Sequence, residues 1–246
     1  RGDRLLRRLL LRIAVMGLTA SCLVPHSAVA ASAGRISSGD SHTCAVGTDG
    51  RVWCWGRNTY GQLGNGTTTD SLTPVEVTGL TSRVVSVAAG GQFTCALTSG
   101  GTVQCWGENT HGQLGDGTTI DRATPQACLI VDIVVRALTT GRDHACAVTT
   151  EGTLLCWGRN DYGQLGDLAN TDRTIPHHVG AFGSHTVDDA EAGAYHTCAV
   201  KTSGEVLCWG YNGYGQLGDG ATTSRNAPTT VSGLSTGGRA VSAGYY

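Results

Sequence analysis

The stretch His42-Thr43-Cys44-Ala45-Val46-Gly47-Thr48-Asp49-Gly50-Arg51-Val52-Trp53-Cys54-Trp55-Gly56 decides the fold, because the chain contains four copies of it. The other copies lie around Cys95 and Cys105, Cys146 and Cys156, and Cys198 and Cys208. In every copy the two cysteines are ten residues apart, and a Trp-Gly pair follows the second. Self-similarity at a fixed period indicates architecture more strongly than any single local motif does.

Each copy has the pattern of a β-hairpin. Residues 43–47 and 51–55 alternate in polarity and favour strands, and Thr48-Asp49-Gly50 forms a three-residue loop between them. Such loops commonly end in a left-handed residue, which favours glycine. The third loop position is glycine in all four copies: Gly50, Gly101, Gly152 and Gly204. This register places Cys44 directly opposite Cys54.

The register makes a disulfide possible across each hairpin. Opposed residues have Cβ atoms about 4.5–5.5 Å apart, and a disulfide needs about 3.5–4.5 Å, so a close pair can be bridged. We predict four bridges: Cys44–Cys54, Cys95–Cys105, Cys146–Cys156 and Cys198–Cys208. The alternative is that these cysteines are free and act as small buried hydrophobic side chains.

Residues 1–30 have the organisation of a secretory signal peptide. Five arginines precede a mostly apolar segment at 13–24 that is too short to span a bilayer, and Ala28-Val29-Ala30 has the pattern of a cleavage site. We expect cleavage after Ala30. Lipidation at Cys22 is the alternative, although the residues before it make a poor lipoprotein box. The protein is then expected to be secreted, periplasmic or at the cell surface, without stable membrane insertion.

The charge of the remaining chain disfavours nucleic acid as a partner. Removal of residues 1–30 would change the formal net charge from −2 to −6, because that segment holds five Arg and one Asp. Lys201 is the only lysine, and no cluster of Lys and Arg remains. A surface that follows a phosphate backbone needs such a cluster.

The repeats predict a β-propeller. The first cysteines of the pairs are 51, 51 and 52 residues apart, and a glycine, a Gln-Leu-Gly and a proline recur at the same step. Each repeat contains about four short strands; in the second we expect 75–77, 84–88, 94–97 and 102–106. Strands at this spacing, without an amphipathic helix, predict an all-β propeller with one four-stranded blade per repeat of about 51 residues.

The predicted propeller occupies residues 31–246. We place the repeats at about 34–84, 85–135, 136–187 and 188–238, and the start of a fifth at 239–246. Gly244-Tyr245-Tyr246 matches Gly193-Ala194-Tyr195, 51 residues earlier. We therefore expect an arc of a larger ring; a closed four-bladed ring is the alternative, because propellers have about 4–8 blades.

The repeat resembles the regulator of chromosome condensation repeat. The resemblance is carried by a Gly-x-x-His-Thr-Cys-Ala-Val hairpin strand, by Cys-Trp-Gly and by Tyr-Gly-Gln-Leu-Gly-Asp-Gly, which occupy 193–200, 208–210 and 214–220 in the fourth copy. Ala221 replaces the threonine that follows in the family pattern. The resemblance covers residues 34–246 and implies a seven-bladed ring, of which this chain would supply four blades and the start of a fifth.

Membership of a family does not by itself fix a function. The founding member is a nucleotide-exchange factor for a small GTPase and uses a wedge inserted in one repeat, whereas these four repeats are too uniform in length to hold one. Secreted bacterial members such as the propeller β-lactamase inhibitor protein bind a target with loops on one ring face. The predicted compartment and the regular repeats place this chain nearer to the second type.

We therefore predict an extracytoplasmic, non-catalytic protein-binding module without a cofactor, acting as an inhibitor or receptor of an enzyme or cell-wall protein. The alternative is a guanine-nucleotide exchange factor or another regulator of a small GTPase, which would be cytosolic and have reduced cysteines. The sequence has no nucleophile elbow, phosphate loop or His-Glu-x-x-His motif.

The partner is expected on loops of one ring face, because the blade cores are used for packing. The segments between Cys-Trp-Gly and Gln-Leu-Gly vary among the copies and carry aromatic and arginine side chains, which are typical of interaction hot spots. The predicted contact residues are Arg57, Asn58, Tyr60, Glu108, His111, Arg159, Asp161, Tyr162, Tyr211 and Tyr214. The alternative for the tyrosines is packing against the next blade.

Other polar residues are expected to be structural. His42 recurs as His144 and His196, but Phe93 holds the same position, which indicates packing. Asn65 and its equivalents Asp116, Asp167 and Asp219 are expected to hydrogen-bond their own turns rather than bind calcium. His177-His178 and Asp188-Asp189 are expected on loops, and the doublet of histidines has no evident third metal ligand. Cys128 is expected as a buried thiol, with an intermolecular bridge as the alternative. The five tryptophans are expected in the blade cores.

Overall fold

The structure, a computed structural model, describes residues 36–180, 182 and 186–246. The regular secondary structure in this part of the chain consists of β-strands alone, which form four antiparallel sheets of four strands each. The predicted all-β propeller architecture is confirmed by these four successive blades. The predicted signal peptide and Cys22 lie outside the described residues.

Each blade is a simple meander in which consecutive strands are neighbours. The first blade contains β1 (Ile36–Ser38), β2 (His42–Val46), β3 (Val52–Gly56) and β4 (Ser71–Glu76). The second contains β5 (Val84–Ala89), β6 (Phe93–Thr98), β7 (Val103–Gly107) and β8 (Arg122–Ala127). The third contains β9 (Val135–Thr140), β10 (His144–Thr149), β11 (Leu154–Gly158) and β12 (Arg173–His178), and the fourth β13 (Val187–Ala192), β14 (His196–Lys201), β15 (Val206–Gly210) and β16 (Arg225–Thr230).

One expected strand was assigned to the wrong blade. The segment 75–77 was expected in the second repeat, but Val75 pairs with Cys54 and Glu76 with Trp53, so β4 completes the first blade. Pro74 lies in this strand, which is the last of its sheet. Proline lacks a backbone donor and is tolerated at such an edge.

The central hairpin of every blade has the predicted register. Cys44 lies opposite Cys54, and the other three pairs are opposed in the same way. The structure joins each pair in a disulfide, with Cα atoms 4.1 Å apart. Cys128 is the free cysteine of the described residues; it is buried, and burial raises the pKa of its thiol.

Buried tryptophans join adjacent blades. Trp106 Nε1 donates a 2.9 Å hydrogen bond to the carbonyl oxygen of Gln62 in the preceding blade, and Trp157 and Trp209 make the equivalent bonds. Gly64 is required beside this contact, since it has a φ of +69° and a Cβ there would lie 2.6 Å from the indole nitrogen of Trp106. The expectation of core packing is correct for these three tryptophans, whereas Trp53 and Trp55 are only partly buried.

A histidine and a threonine form a second link between blades. His42 Nε2 lies 2.8 Å from the hydroxyl of Thr94, and that hydroxyl donates to the Gln62 carbonyl at 3.0 Å, so His42 is the donor. His144 and Thr197 repeat this arrangement between the third and fourth blades. The recurring histidines are therefore structural, as expected from Phe93. Burial lowers the pKa of His42 to about 4 and that of His144 to about 3.

Two polar segments expected on loops lie in strands instead. His177 and His178 end β12, where His177 pairs with Cys156. Asp188 and Asp189 belong to β13, and Asp189 is buried and accepts a hydrogen bond from the backbone of Val241. This strand was not predicted because acidic side chains are uncommon in strands. Its pairing with β14 is made by the backbone and does not depend on those side chains. In the described ranges, no helix has the length and apolarity needed to cross a membrane.

Candidate functional site

Two sets of loops share one end of every blade. Because consecutive strands run in opposite directions, the connection from the first to the second strand and that from the third to the fourth emerge together. Backbone bonds hold them side by side: Arg57 donates to the carbonyl of Ser41 at 2.9 Å, and the other three blades repeat this bond. We call this end of the molecule the loop face. It consists of residues 39–41 and 57–70 and their equivalents at 90–92, 108–121, 141–143, 159–172, 193–195, 211–224 and 244–246.

A buried asparagine fixes each long loop of this face. Asn58 donates through Nδ2 to the carbonyls of Thr67 and Thr69, and its Oδ1 accepts from the backbone of Leu63. The same position in the other blades holds Asn109, Asn160 and Asn212, and all four asparagines are fully buried. The prediction that Asn58 contacts a partner is therefore wrong. The Asn58 side chain positions the loop, and none of its surface is exposed to contact a partner.

A second polar contact closes the same loops. Asp167 accepts hydrogen bonds from Asn160 and from the backbone of Ala169, and it pairs with Arg173 at 2.7 Å. Burial alone would raise the pKa of Asp167, but these bonds outweigh burial and lower it. Asp116 and Asp219 form the same turn with Arg122 and Arg225, as expected for turn-binding carboxylates. In the first blade neutral Asn65 replaces the carboxylate, and Ser71 stands in the place of the arginine.

A series of backbone hydrogen bonds joins the inner loops of the loop face. Asp40 donates to the carbonyl of Gly91, Gly91 to that of Arg142, Arg142 to that of Ala194, and Ala194 to that of Gly244. The glycine before each hairpin lies close to the backbone of the next blade; a Cβ on Gly39 would meet the carbonyl oxygen of Gly90. These inner loops therefore have a fixed position relative to one another.

Six of the chain's seven tyrosines meet on one sector of this face. Tyr162 from the third blade contacts Tyr211 of the fourth with ring centroids 5.0 Å apart. Tyr214 and Tyr246 approach to 5.4 Å, with a T-shaped geometry. Tyr162 is 36% exposed and Tyr214 is 74% exposed, so part of this aromatic surface faces solvent. We call the group the tyrosine cluster; its members are Tyr162, Tyr195, Tyr211, Tyr214, Tyr245 and Tyr246.

Two arginines hold the base of the tyrosine cluster. Arg142 donates to the hydroxyls of Tyr195 at 2.5 Å and Tyr245 at 2.6 Å, and its guanidinium lies 5.8 Å from the Tyr195 ring centroid. The guanidinium of Arg159 lies 6.0 Å from the same ring. Carboxylates fix both cations in turn, since Arg142 is 3.6 Å from Asp40 and Arg159 is 3.2 Å from Asp143.

The remaining predicted contact residues lie on the same face but apart from the cluster. Arg57 is exposed and donates to Thr59, and Tyr60 is partly buried. His111 is bonded through Nδ1 to Asp172 of the next blade at 2.7 Å, and Asp161 pairs with Arg159. Glu108 is half-buried; burial raises the pKa of its carboxyl, and the nearby Asp143 and Asp121 raise it further.

Sequence reasoning missed Tyr195, Tyr245, Tyr246 and Arg142. All four belong to the short inner loops, whereas the prediction considered only the longer segments after Cys-Trp-Gly. The match of Gly244-Tyr245-Tyr246 to Gly193-Ala194-Tyr195 was a visible signal, because it placed tyrosines at equivalent positions of adjacent repeats. The contact of inner loops with the longer ones was not visible, since it depends on the pairing of strands.

Comparison with known proteins agrees with this architecture. The RCC1-like domain profile matches residues 18–246. The ultraviolet-B receptor UVR8 of Arabidopsis thaliana is 36% identical over 203 residues, which cover 81% of this chain and 46% of the receptor. The probable E3 ubiquitin-protein ligase HERC4 of Homo sapiens is 35% identical over 203 residues, which cover 81% of this chain and 19% of the ligase. The chain thus spans less than half the length of either curated relative.

Two solved structures share the fold. Human WBSCR16 superposes with a TM-score of 0.76 at 23% identity, covering 86% of this chain and 56% of that protein. Prp20p of Saccharomyces cerevisiae, described together with its binding properties to Gsp1p and histones, gives a TM-score of 0.71 at 22% identity, covering 80% of this chain and 49% of Prp20p. The extent of the profile match and the identity to UVR8 confirm the predicted family: this chain belongs to the RCC1-like domain family.

Proposed function

We propose that this chain is an extracytoplasmic propeller that binds a protein through its loop face and catalyses no reaction itself. The tyrosine cluster is the observation that carries the proposal. Tyrosine offers a large, rigid and amphipathic contact surface at low entropic cost, and it is common at the centre of protein interfaces. Here six such side chains are held on a framework of buried asparagines, inter-blade tryptophans and paired arginines.

The cysteine pattern supports the compartment. Four disulfides of one type, one in each blade, fit an oxidising environment, because cytosolic thiols are kept reduced. A regulator of a small GTPase, as in the founding member of the family, is the second candidate and requires the reducing cytosol. Prp20p, which shares the fold, is the comparison that favours this second candidate.

Carboxylates on the loop face are paired with arginines, which supports binding rather than catalysis. The carboxylates of Asp116, Asp167 and Asp219 close turns, and Asp143 is paired with Arg159. These groups are therefore committed to structure. The sharper version of the proposal is an inhibitor or receptor of an enzyme or cell-wall protein.

The test is capture from intact cells with matched variants. The complete reading frame, with its own N-terminal segment, is expressed with a photo-crosslinker near the loop face, and the crosslinked protein is identified and purified. Binding of that purified protein is then measured for wild type, Tyr214→Ala and Tyr162→Ala, with Leu72→Ala as the control. Leu72 is 99% exposed on the last strand of the first blade. We expect each tyrosine variant to weaken binding at least about tenfold, as for a hot-spot side chain, and Leu72→Ala to leave it unchanged. Equal affinity of all four proteins would refute the proposal.

A further inference from the structure

We propose that the segment recognised by the loop face is basic, so that Lys or Arg side chains of the partner protein lie between the tyrosine cluster and the carboxylates of Glu108 and Asp121. This inference rests on the proposed function and specifies the chemistry of the partner.

The loop face has an excess of negative charge. Its loop segments contain ten carboxylates and three arginines. Three further arginines, Arg122, Arg173 and Arg225, begin β8, β12 and β16 and neutralise three of these carboxylates. Four negative charges therefore remain on one face. Charge complementarity steers association and selects partners of the opposite sign.

Three of these carboxylates, Asp70, Glu108 and Asp121, form no ion pair in the described part of the chain, and the last two belong to the same loop. Asp121 accepts the backbone N–H of Asn109 at 2.8 Å. The Glu108 carboxylate is repelled by Asp143 and Asp121, while the nearby His111 and a hydrogen bond from Thr110 offset part of this repulsion. A cation placed beside Glu108 would remove this repulsion, and an anion would increase it.

The tyrosine cluster already binds guanidinium groups of this chain. Arg142 and Arg159 both approach the Tyr195 ring within 6.0 Å, and a carboxylate fixes each of them. On this face, the guanidinium groups of the chain's own arginines are thus held between an aromatic ring and an adjacent carboxylate. Tyr162 and Tyr214 offer exposed rings without such a cation among the described residues.

The unpaired carboxylates and the exposed rings are parts of one surface. The backbone of Glu108 donates to the carbonyl of Gln92, and the preceding Gly91 donates to the carbonyl of Arg142. The guanidinium of Arg142 in turn donates to the hydroxyl of Tyr195. Tyr195 contacts Tyr162 with ring centroids 5.8 Å apart. An extended segment with several basic side chains could therefore reach both groups at once.

The probes are fluorescent peptides of alternating Arg and Gly, with Lys-Gly and Glu-Gly peptides of the same length. Anisotropy titrations are made with the mature full-length protein at low and physiological salt. The variant Glu108→Gln/Asp121→Asn keeps the hydrogen-bond acceptors and removes two charges. Glu151→Gln is the matched control, because Glu151 is exposed in a hairpin turn at the opposite end of its blade. Circular dichroism and the disulfide count verify that every variant is folded.

We expect the Arg-Gly peptide to bind at least about tenfold more tightly than the Glu-Gly peptide, and the double variant to weaken it about fivefold. Tyr214→Ala should weaken it as well, and Glu151→Gln should not. The inference is overturned if the Glu-Gly peptide binds as tightly, or if the double variant loses no more than Glu151→Gln. In that case, retained tyrosine dependence in the capture experiment would leave the proposed function standing; loss of tyrosine dependence there would refute both.

Discussion

The His42–Thr94 contact allows a quantitative test of how the blades are joined. Thr94→Ala would leave the Nε2–H of His42 without its acceptor, in a side chain that is only 3% exposed. A buried donor without a partner costs about 1–3 kcal/mol, and we expect a loss of that size in the free energy of unfolding. The Gln62 carbonyl keeps its bond from Trp106, so the cost falls mainly on His42.

An apolar pair already replaces the His–Thr contact at one blade junction of this chain. Between the second and third blades the two positions hold Phe93 and Ala145, and both lie in one apolar cluster. Replacing both members of a buried polar pair by apolar groups of fitting shape can be nearly neutral. We therefore expect His42→Phe/Thr94→Ala to recover most of the loss, with a coupling energy of about 1–2 kcal/mol between the two sites.

The assay is urea denaturation followed by tryptophan fluorescence, because three buried indoles lie at the blade junctions. The four proteins needed are wild type, each single variant and the double variant. Phe93→His is a reciprocal control: Ala145 offers no acceptor, so this change should destabilise, and Phe93→His/Ala145→Thr should recover the loss. Strict additivity of the single effects in both cycles would refute the paired-contact account.

Three further predictions concern stability and are checked by urea midpoints. Burial lowers the pKa values of His42 and His144 below the value of about 6.5 expected in the unfolded chain, so the unfolded chain binds protons first as the pH falls. The stabilisation should be complete above about pH 6.5 and be lost as the pH falls toward 4, by on the order of 3 kcal/mol per histidine, and His42→Phe/Thr94→Ala should make this loss smaller. Asn65→Asp should cost about 1–2 kcal/mol, because Ser71 supplies no cation, and Ser71→Arg should recover it; an unchanged midpoint in Asn65→Asp would contradict the assigned role of the arginines. Gly141→Ala should cost about 1–3 kcal/mol, because its Cβ would meet the carbonyl oxygen of Gly193. Gly180→Ala is the control, since no atom of the residues that the structure describes lies within 4 Å of the new Cβ.

The local features of the fold were predictable from the sequence. The glycine at the third loop position requires a left-handed residue, and Gly50 has a φ of +83°. That position set the register, which in turn opposed Cys44 and Cys54. These relations involve residues within one hairpin, so they depend on backbone preferences and spacing rather than on the packing of the whole chain.

The errors concern residues whose role depends on contacts outside their own segment. Asn58 has a residue type typical of exposed loops, and its burial follows from the closure of residues 58–69 around its amide. Its recurrence in all four repeats, among neighbours that vary, was the signal of a structural role. The segment 75–77 was misplaced because a strand between two hairpins can pair with either of them, and only the sheet decides which.

The tyrosine cluster was predicted in part for the same reason. Tyr162, Tyr211 and Tyr214 were identified from the long loops, where their composition stood out. Their alternative role, packing against the next blade, is partly realised by the contact of Tyr162 with Tyr211. Tyr195 joins them only because the backbone of Tyr211 is bonded to that of Tyr195, which no linear pattern shows.

The most direct test of the proposed exported binding module is the redox state of its cysteines. The natively produced, mature protein is denatured without reductant, alkylated and measured by intact mass. The account predicts four intact bridges in residues 31–246, one alkylated cysteine, Cys128, and an N-terminus that begins after Ala30. Nine alkylated cysteines within residues 31–246 and an uncleaved N-terminal segment would contradict it, and would direct the search for a partner to the small GTPases of the cytosol.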